Sequence, residues 1–114
     1  MLDQSFSYAA AAGSRPGVTI LTLTGPLTIG NIFALQAEMR TLKPPCLILD
    51  LTHVPYMDSA GLGVLMNAFV SAQGDGRKLL LANVNQRVLS LFEMTRVESI
   101  LPIFPSVQTA EAQA

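Results

Sequence analysis

At 114 residues the chain is long enough for one compact domain that buries a core without disulfide or metal staples. Seven basic against eight acidic residues leave it near neutrality, without the basic excess that nucleic-acid binding requires, and a single cysteine excludes an intramolecular disulfide. Only 13% of residues are charged, against roughly 25% in typical soluble domains, and 50% are apolar, so either part of the apolar surface is covered by a partner protein or this is a small domain with an unusually uncharged polar surface.

The N-terminal Met1-Leu2-Asp3-Gln4-Ser5 has no basic segment followed by an apolar one, so no secretory signal is expected. Phe6 and Tyr8 alternate with Ser5 and Ser7 as a short first strand, and Gly13-Ser14-Arg15-Pro16-Gly17 is turn chemistry that leads into a hairpin. Val18, Ile20 and Leu23, interleaved with Thr19, Thr22 and Thr24, form the second strand, which Gly25-Pro26 ends. The uncharged stretch 16–37 is no membrane span, because threonines, glycines, Pro26 and Asn31 interrupt it and a spanning helix needs about 20 predominantly apolar residues. Ile32, Leu35, Met39 and Leu42 recur at helical steps until Lys43-Pro44-Pro45 stops the helix.

Cys46 to Leu49 is a continuous apolar run, as expected of a central strand covered on both faces, and Cys46 at its head is read as a buried, inert thiol. Ser59 then opens a helix whose predicted buried stripe is Leu62, Leu65, Met66, Phe69 and Val70, ended by Gly74-Asp75-Gly76. Leu79 to Leu81 make another strand, Val88, Leu91 and Phe92 a third helix through about Met94, and Ile100 to Phe104 a last strand broken at Pro102. The tail from Ser106 forms a short terminal helix, with residues from about 110 expected to fray. Strands alternating with helices imply a single α/β domain over residues 1–114: a mixed, mostly parallel sheet with an N-terminal antiparallel hairpin and crossover helices.

The segment Asp58-Ser59-Ala60-Gly61-Leu62-Gly63 places a serine hydroxyl at a helix opening, where unpaired amides and the dipole favour negative charge. One reading is a phosphorylation switch, with the small residues Ala60, Gly61 and Gly63 keeping the approach open; the other is plain helix capping. Asp58 either caps the helix or positions an incoming kinase. Tyr56 and Met57, in the loop ahead, either meet a partner or pack the loop. Catalytic machinery is not visible: His53 is the one histidine, the nucleophile elbow Gly-x-Ser-x-Gly is absent around Ser59, and neither a phosphate-binding Gly-Lys loop nor paired metal ligands occur. No catalytic residue, cofactor or metal is therefore expected.

The longer string from Leu49-Asp50-Leu51 through Met57-Asp58-Ser59-Ala60-Gly61-Leu62-Gly63 resembles the anti-sigma-factor antagonists, the STAS domains, in which a strand ending in an Asp-Leu-type pair is followed by an apolar loop and Asp-Ser-(Ser/Thr)-Gly-Leu. The resemblance extends with varying strength from about Val18 to the C-terminus and implies the same mixed-sheet fold. It further implies that Ser59 is phosphorylated by an anti-sigma factor that doubles as a serine kinase, that a serine phosphatase reverses this, and that the unphosphorylated protein sequesters the anti-sigma factor in the cytoplasm. Asp58, Ser59, Met57, Gly63, Leu62, Tyr56 and Thr28 would form the partner-binding site, with no nucleic acid bound and no direct membrane insertion. Three departures stand out: Thr28 replaces the acidic residue of Gly-x-Leu-Asp but can still cap the next helix, Ala60 replaces the second hydroxyl, and Thr95-Arg96-Val97 stands where a Thr/Ser-Gly-Leu turn is frequent. The rival readings are an unphosphorylated STAS subunit stabilising the ATPase of a lipid or anion transporter, and a small hydrolase or nucleotide-binding enzyme using the Ser59 helix start as an anion site.

Overall fold

A computed structural model of the chain describes residues 5–114. Its strands are β1 (Ser7–Ala12), β2 (Val18–Thr24), β3 (Cys46–His53), β4 (Lys78–Ala82) and β5 (Ile103–Phe104). The helices are α1 (Ile32–Thr41), α2 (Ser59–Gly74), α3 (Gln86–Met94) and α4 (Val107–Glu111). The sheet runs β1-β2-β3-β4-β5, antiparallel between β1 and β2 and parallel elsewhere, so the anticipated hairpin and central β3 are both present. The N-terminal tetrapeptide read for a leader lies outside the described residues.

Alternation along β3 sets the two layers. Leu47, Leu49 and Leu51 point into the larger core with Leu21 and Leu23 of β2, Leu79 and Leu81 of β4, and the inner faces of α1, α2 and α3. Cys46 and Ile48 point the other way, where Leu80, Ala82 and Ala110 of the short α4 complete a second, thinner cluster. This two-sided cover is why β3 reads as a near-continuous apolar run. Burial pushes the Cys46 thiol above its ordinary pKa despite the nearby Lys78, which suits an inert side chain.

The structure differs from the sequence expectations at several places. β1 extends through four alanines, Ala9 to Ala12, that the Phe6/Tyr8 alternation does not reach; their pairing with Thr19 to Thr22 holds them in the sheet. β5 has two residues rather than five, because Ile100 and Leu101 hydrogen-bond back to Val97 O in a turn. α2 buries Leu62, Val64, Leu65, Phe69 and Ala72, while Val70 is 60% exposed and Met66 half-buried, so the inward stripe is rotated from the one expected. The C-terminal helix starts with a reciprocal Ser106–Thr109 capping box, and beyond it Gln113 O accepts from Lys78 Nζ at 2.7 Å.

α3 ends in a Schellman turn in which Arg96 N donates to Glu93 O and Val97 N to Phe92 O, both at close range (3.1 and 2.9 Å). Such a turn needs a left-handed residue, and Arg96 supplies it at φ 61°. This is the position where the resembling sequences frequently carry glycine, so the arginine is held there against its steric preference. Arg96→Gly is expected to raise stability by about 1 kcal/mol, read as an increase in the urea midpoint at unchanged slope.

Candidate functional site

β2 and β3 finish side by side with a register irregularity between Thr22 and Thr24, after which Thr24 faces His53. The chains do not part there. Gly25 N donates to His53 O at 2.9 Å, Leu27 N to Tyr56 O at 3.1 Å and Asp58 N to Leu27 O at 3.2 Å, and Leu27 and Met57 form a parallel bridge. Two connecting segments are thus zipped together, and they deliver Asp58 in extended conformation (φ −104°, ψ −174°) to the start of α2.

Asp58 uses both carboxylate oxygens. Oδ1 accepts from Gly61 N, the N-cap bond of α2, and Oδ2 accepts from Ile29 N in the loop before α1, each at 3.0 Å. One side chain therefore fixes the helix start to the neighbouring loop. Desolvation pushes its pKa up, but the hydrogen bonds from Gly61, Ile29 and Ala60 together outweigh this and hold the carboxyl below its ordinary range. Ser59 is the first residue of α2 and is exposed.

The two glycines of the motif have opposite roles. A Cβ on Gly61 would lie 2.3 Å from Leu27 O, so this glycine lets α2 pack directly on the zipped backbone rather than clearing an approach to Ser59. A Cβ on Gly63 would have no neighbour within 4 Å. At about 100° per residue, Ser59, Gly63 and Val70 fall within about 40° of one another on the outer face of α2.

The comparisons with known proteins bear on this arrangement. A family model for the STAS domain matches residues 9–110. The chain belongs to the STAS domain family. It is 44% identical over 55 residues to an anti-sigma-B factor antagonist of Listeria monocytogenes, an alignment covering 48% of this chain and 48% of that protein, so it spans about half the relative's length. An anti-sigma F factor antagonist of Paenibacillus polymyxa is 28% identical over 92 residues, covering 77% and 79% of the two chains. Among solved structures, an anti-sigma factor antagonist from Mycobacterium paratuberculosis shares the fold with a TM-score of 0.83 at 19% identity, covering 96% of this chain and 93% of that one.

Within this STAS domain, the sequence-predicted site residues separate into surface and scaffold. Asp58, Ser59 and Gly63 come together at the α2 start, and Thr28, adjacent to the tethered Ile29, joins them. Met57 is 8% exposed and Leu62 is buried, so neither offers a contact surface: the zipped pairing with Leu27 turns Met57 inward, and Leu62 faces the core. Thr28 does not cap α1, whose N-cap position is Asn31; Thr28 O instead accepts Asn31 N at 2.8 Å in the preceding turn. Tyr56 is half-buried under the guanidinium of Arg87, 4.7 Å from the ring centroid.

Sequence reasoning missed the exposed apolar residues near this site. Ile29 is 61% and Phe33 66% exposed. Ile29 is tied to Asp58 through its own amide, and Phe33 is the second residue of α1, which follows that turn. Phe33 is out of step with the Ile32, Leu35, Met39 stripe, and an aromatic off the stripe is the signal that could have found it. His53 is exposed at the end of β3, where its field acts on Asp50. Among the described residues no cluster of His, Cys, Asp or Glu could hold a metal ion, and no helix is long and apolar enough to cross a membrane.

Asp58→Ala removes both bonds and is expected to cost about 2 kcal/mol, whereas Asp58→Asn keeps an acceptor for Gly61 N, loses the Ile29 bond, and costs about 1 kcal/mol. Because the folded carboxyl titrates below its unfolded value, this stabilisation is complete above the unfolded pKa of about 3.9 and disappears as pH falls through the folded value. Urea titrations of wild type and Asp58→Asn should therefore differ at pH 7 and converge in strong acid. For the glycines, Gly61→Ala should destabilise by about 2–3 kcal/mol, since backbone must move, while Gly63→Ala should stabilise by about 0.5–1 kcal/mol; equal effects at the two positions would refute the assigned roles.

Proposed function

We propose that this STAS domain is an anti-sigma factor antagonist, a non-enzymatic binding module acting in the cytoplasm and switched by phosphorylation of Ser59. The observation that carries the reading is an exposed serine at the first position of α2, between a doubly bonded Asp58 and the open Gly63 face. The naming of relatives over both the half-length and the longer alignments as anti-sigma factor antagonists supports it. The partners are then an anti-sigma factor with serine kinase activity and a serine phosphatase. The apolar part of the docking surface is Ile29, Phe33 and Val70, in place of Met57 and Leu62.

The switch follows from charge. Asp58 already occupies Gly61 N at the helix start, so a phosphate on Ser59 takes that amide only by displacing the carboxylate, and its oxygens stay largely with water. Such a group adds a charge of about −2 and strong hydration without unsettling the fold. On docking, that hydration has to be stripped beside the exposed Ile29, whose amide is bonded to the neighbouring Asp58, without a compensating cation, so the complex is disfavoured.

Incubation with the kinase partner and ATP should place the label on Ser59, and Ser59→Ala should abolish it while retaining binding. Phosphorylation should leave far-UV circular dichroism unchanged and weaken binding about tenfold or more. Label on Thr28 alone, or full affinity after modification of Ser59, would overturn the proposal.

A further inference from the structure

We propose that β1 is a homodimerisation edge, pairing antiparallel with the β1 of a second copy to make one continuous ten-stranded sheet across two five-stranded halves. Edge strands are ordinarily protected by charge, proline, a bulge or short length. β1 has none of these devices: its six residues are Ser-Tyr-Ala-Ala-Ala-Ala, in unbroken register with β2. The opposite edge, β5, is only two residues long, so β1 is the one long free edge among the described residues.

The phase of the pairing is fixed by Gly13 N donating to Val18 O at 2.8 Å. Antiparallel alternation then commits Ala11 and Ala9 to β2 and turns the amides and carbonyls of Tyr8, Ala10 and Ala12 outward. Those three positions are their own complement. About a two-fold axis at Ala10, Ala10 meets its equivalent and Tyr8 meets Ala12 in each direction, so all three outward pairs can exchange hydrogen bonds. The side chains agree with this: Tyr8 falls opposite an alanine, and Ala9 opposite Ala11, so no bulky pair collides.

A second copy also suits the surroundings of the strand. Ala10 faces the helical side with Leu21, Ala11 faces the α4 side with Ile20, and both alanines are exposed, so the sheet margin is uncovered on both faces. The axis passes through the sheet, so both α2 helices share one face and the two Ser59 sites lie at opposite ends. Dimerisation is therefore independent of the function proposed for Ser59.

The test is sedimentation velocity on the full chain from about 10 μM to about 1 mM, because a strand-edge interface is small and its association weak. The expected result is a concentration-dependent monomer–dimer equilibrium that stops at two. Ala10→Pro removes an outward donor without touching the β2 ladder, and Ala10→Lys places charge on the edge. Each should weaken dimerisation at least tenfold with unchanged far-UV circular dichroism and unchanged labelling of Ser59. A wild type that stays monomeric throughout, assembly that continues past the dimer, or dimers that survive Ala10→Lys would overturn the proposal.

Discussion

The carboxylate of Asp58, shared between Gly61 N and Ile29 N, is the constraint on which the arrangement of this surface depends. A single N-cap bond would fix only the first turn of α2. The second oxygen extends that fixation to a different segment, the loop that presents Ile29 and leads into α1, whose second residue is Phe33. Two surface segments that share no secondary structure are thereby held in one mutual position by a side chain that is itself outside any helix or strand. Its depressed pKa expresses the same fact, since each amide that donates to the carboxylate favours its charged form.

That carboxylate is in turn placed by backbone. The continuation of strand-like pairing past the formal ends of β2 and β3, through Gly25–His53, Leu27–Tyr56 and Leu27–Asp58 bonds, removes the freedom that two loops would otherwise have. Gly61 completes the assembly by letting α2 approach Leu27 O more closely than a Cβ permits. The motif Asp-Ser-Ala-Gly-Leu-Gly thus combines distinct physical demands in six residues: a cap, an exposed hydroxyl, a close backbone approach, a core leucine and an open surface position.

Much of the fold was legible because its elements follow simple periods. The Thr/apolar alternation of β2, the two-sided apolar run of β3 and the Gly-Ser-Arg-Pro-Gly turn each imply one structure, and the order of strands and helices then restricts the topology. The errors have specific causes. Met57 precedes a helix in a segment without regular structure, which favours exposure, yet zipped pairing with Leu27 gives it a strand-like inward direction that no local pattern announces. Val70 fits a helical stripe as well as Ala72 does, and only the packing of α2 on the sheet decides which is covered. Thr28 could cap a helix by residue type, but the intervening turn shifts that position to Asn31. β1 was placed too early because alanines carry little strand preference and take their conformation from β2.

The same geometry favours a surface mode of action for the switch proposed at Ser59 over one that acts through the fold. A phosphate reorganises a structure when it wins amides or cations that were unoccupied, or when it severs a bond the native state needs. At this helix start Asp58 already takes Gly61 N, and the bonds that hold the zipped segments are backbone-to-backbone. A charge added at Ser59 therefore need not break any of these bonds. Its proposed consequence falls on whatever docks over the neighbouring Ile29, where apolar contact and a hydrated dianion make incompatible demands on the same water. A rigid site therefore serves better than a mobile one, because the penalty is paid in full only if the surface cannot rearrange to keep the phosphate wet.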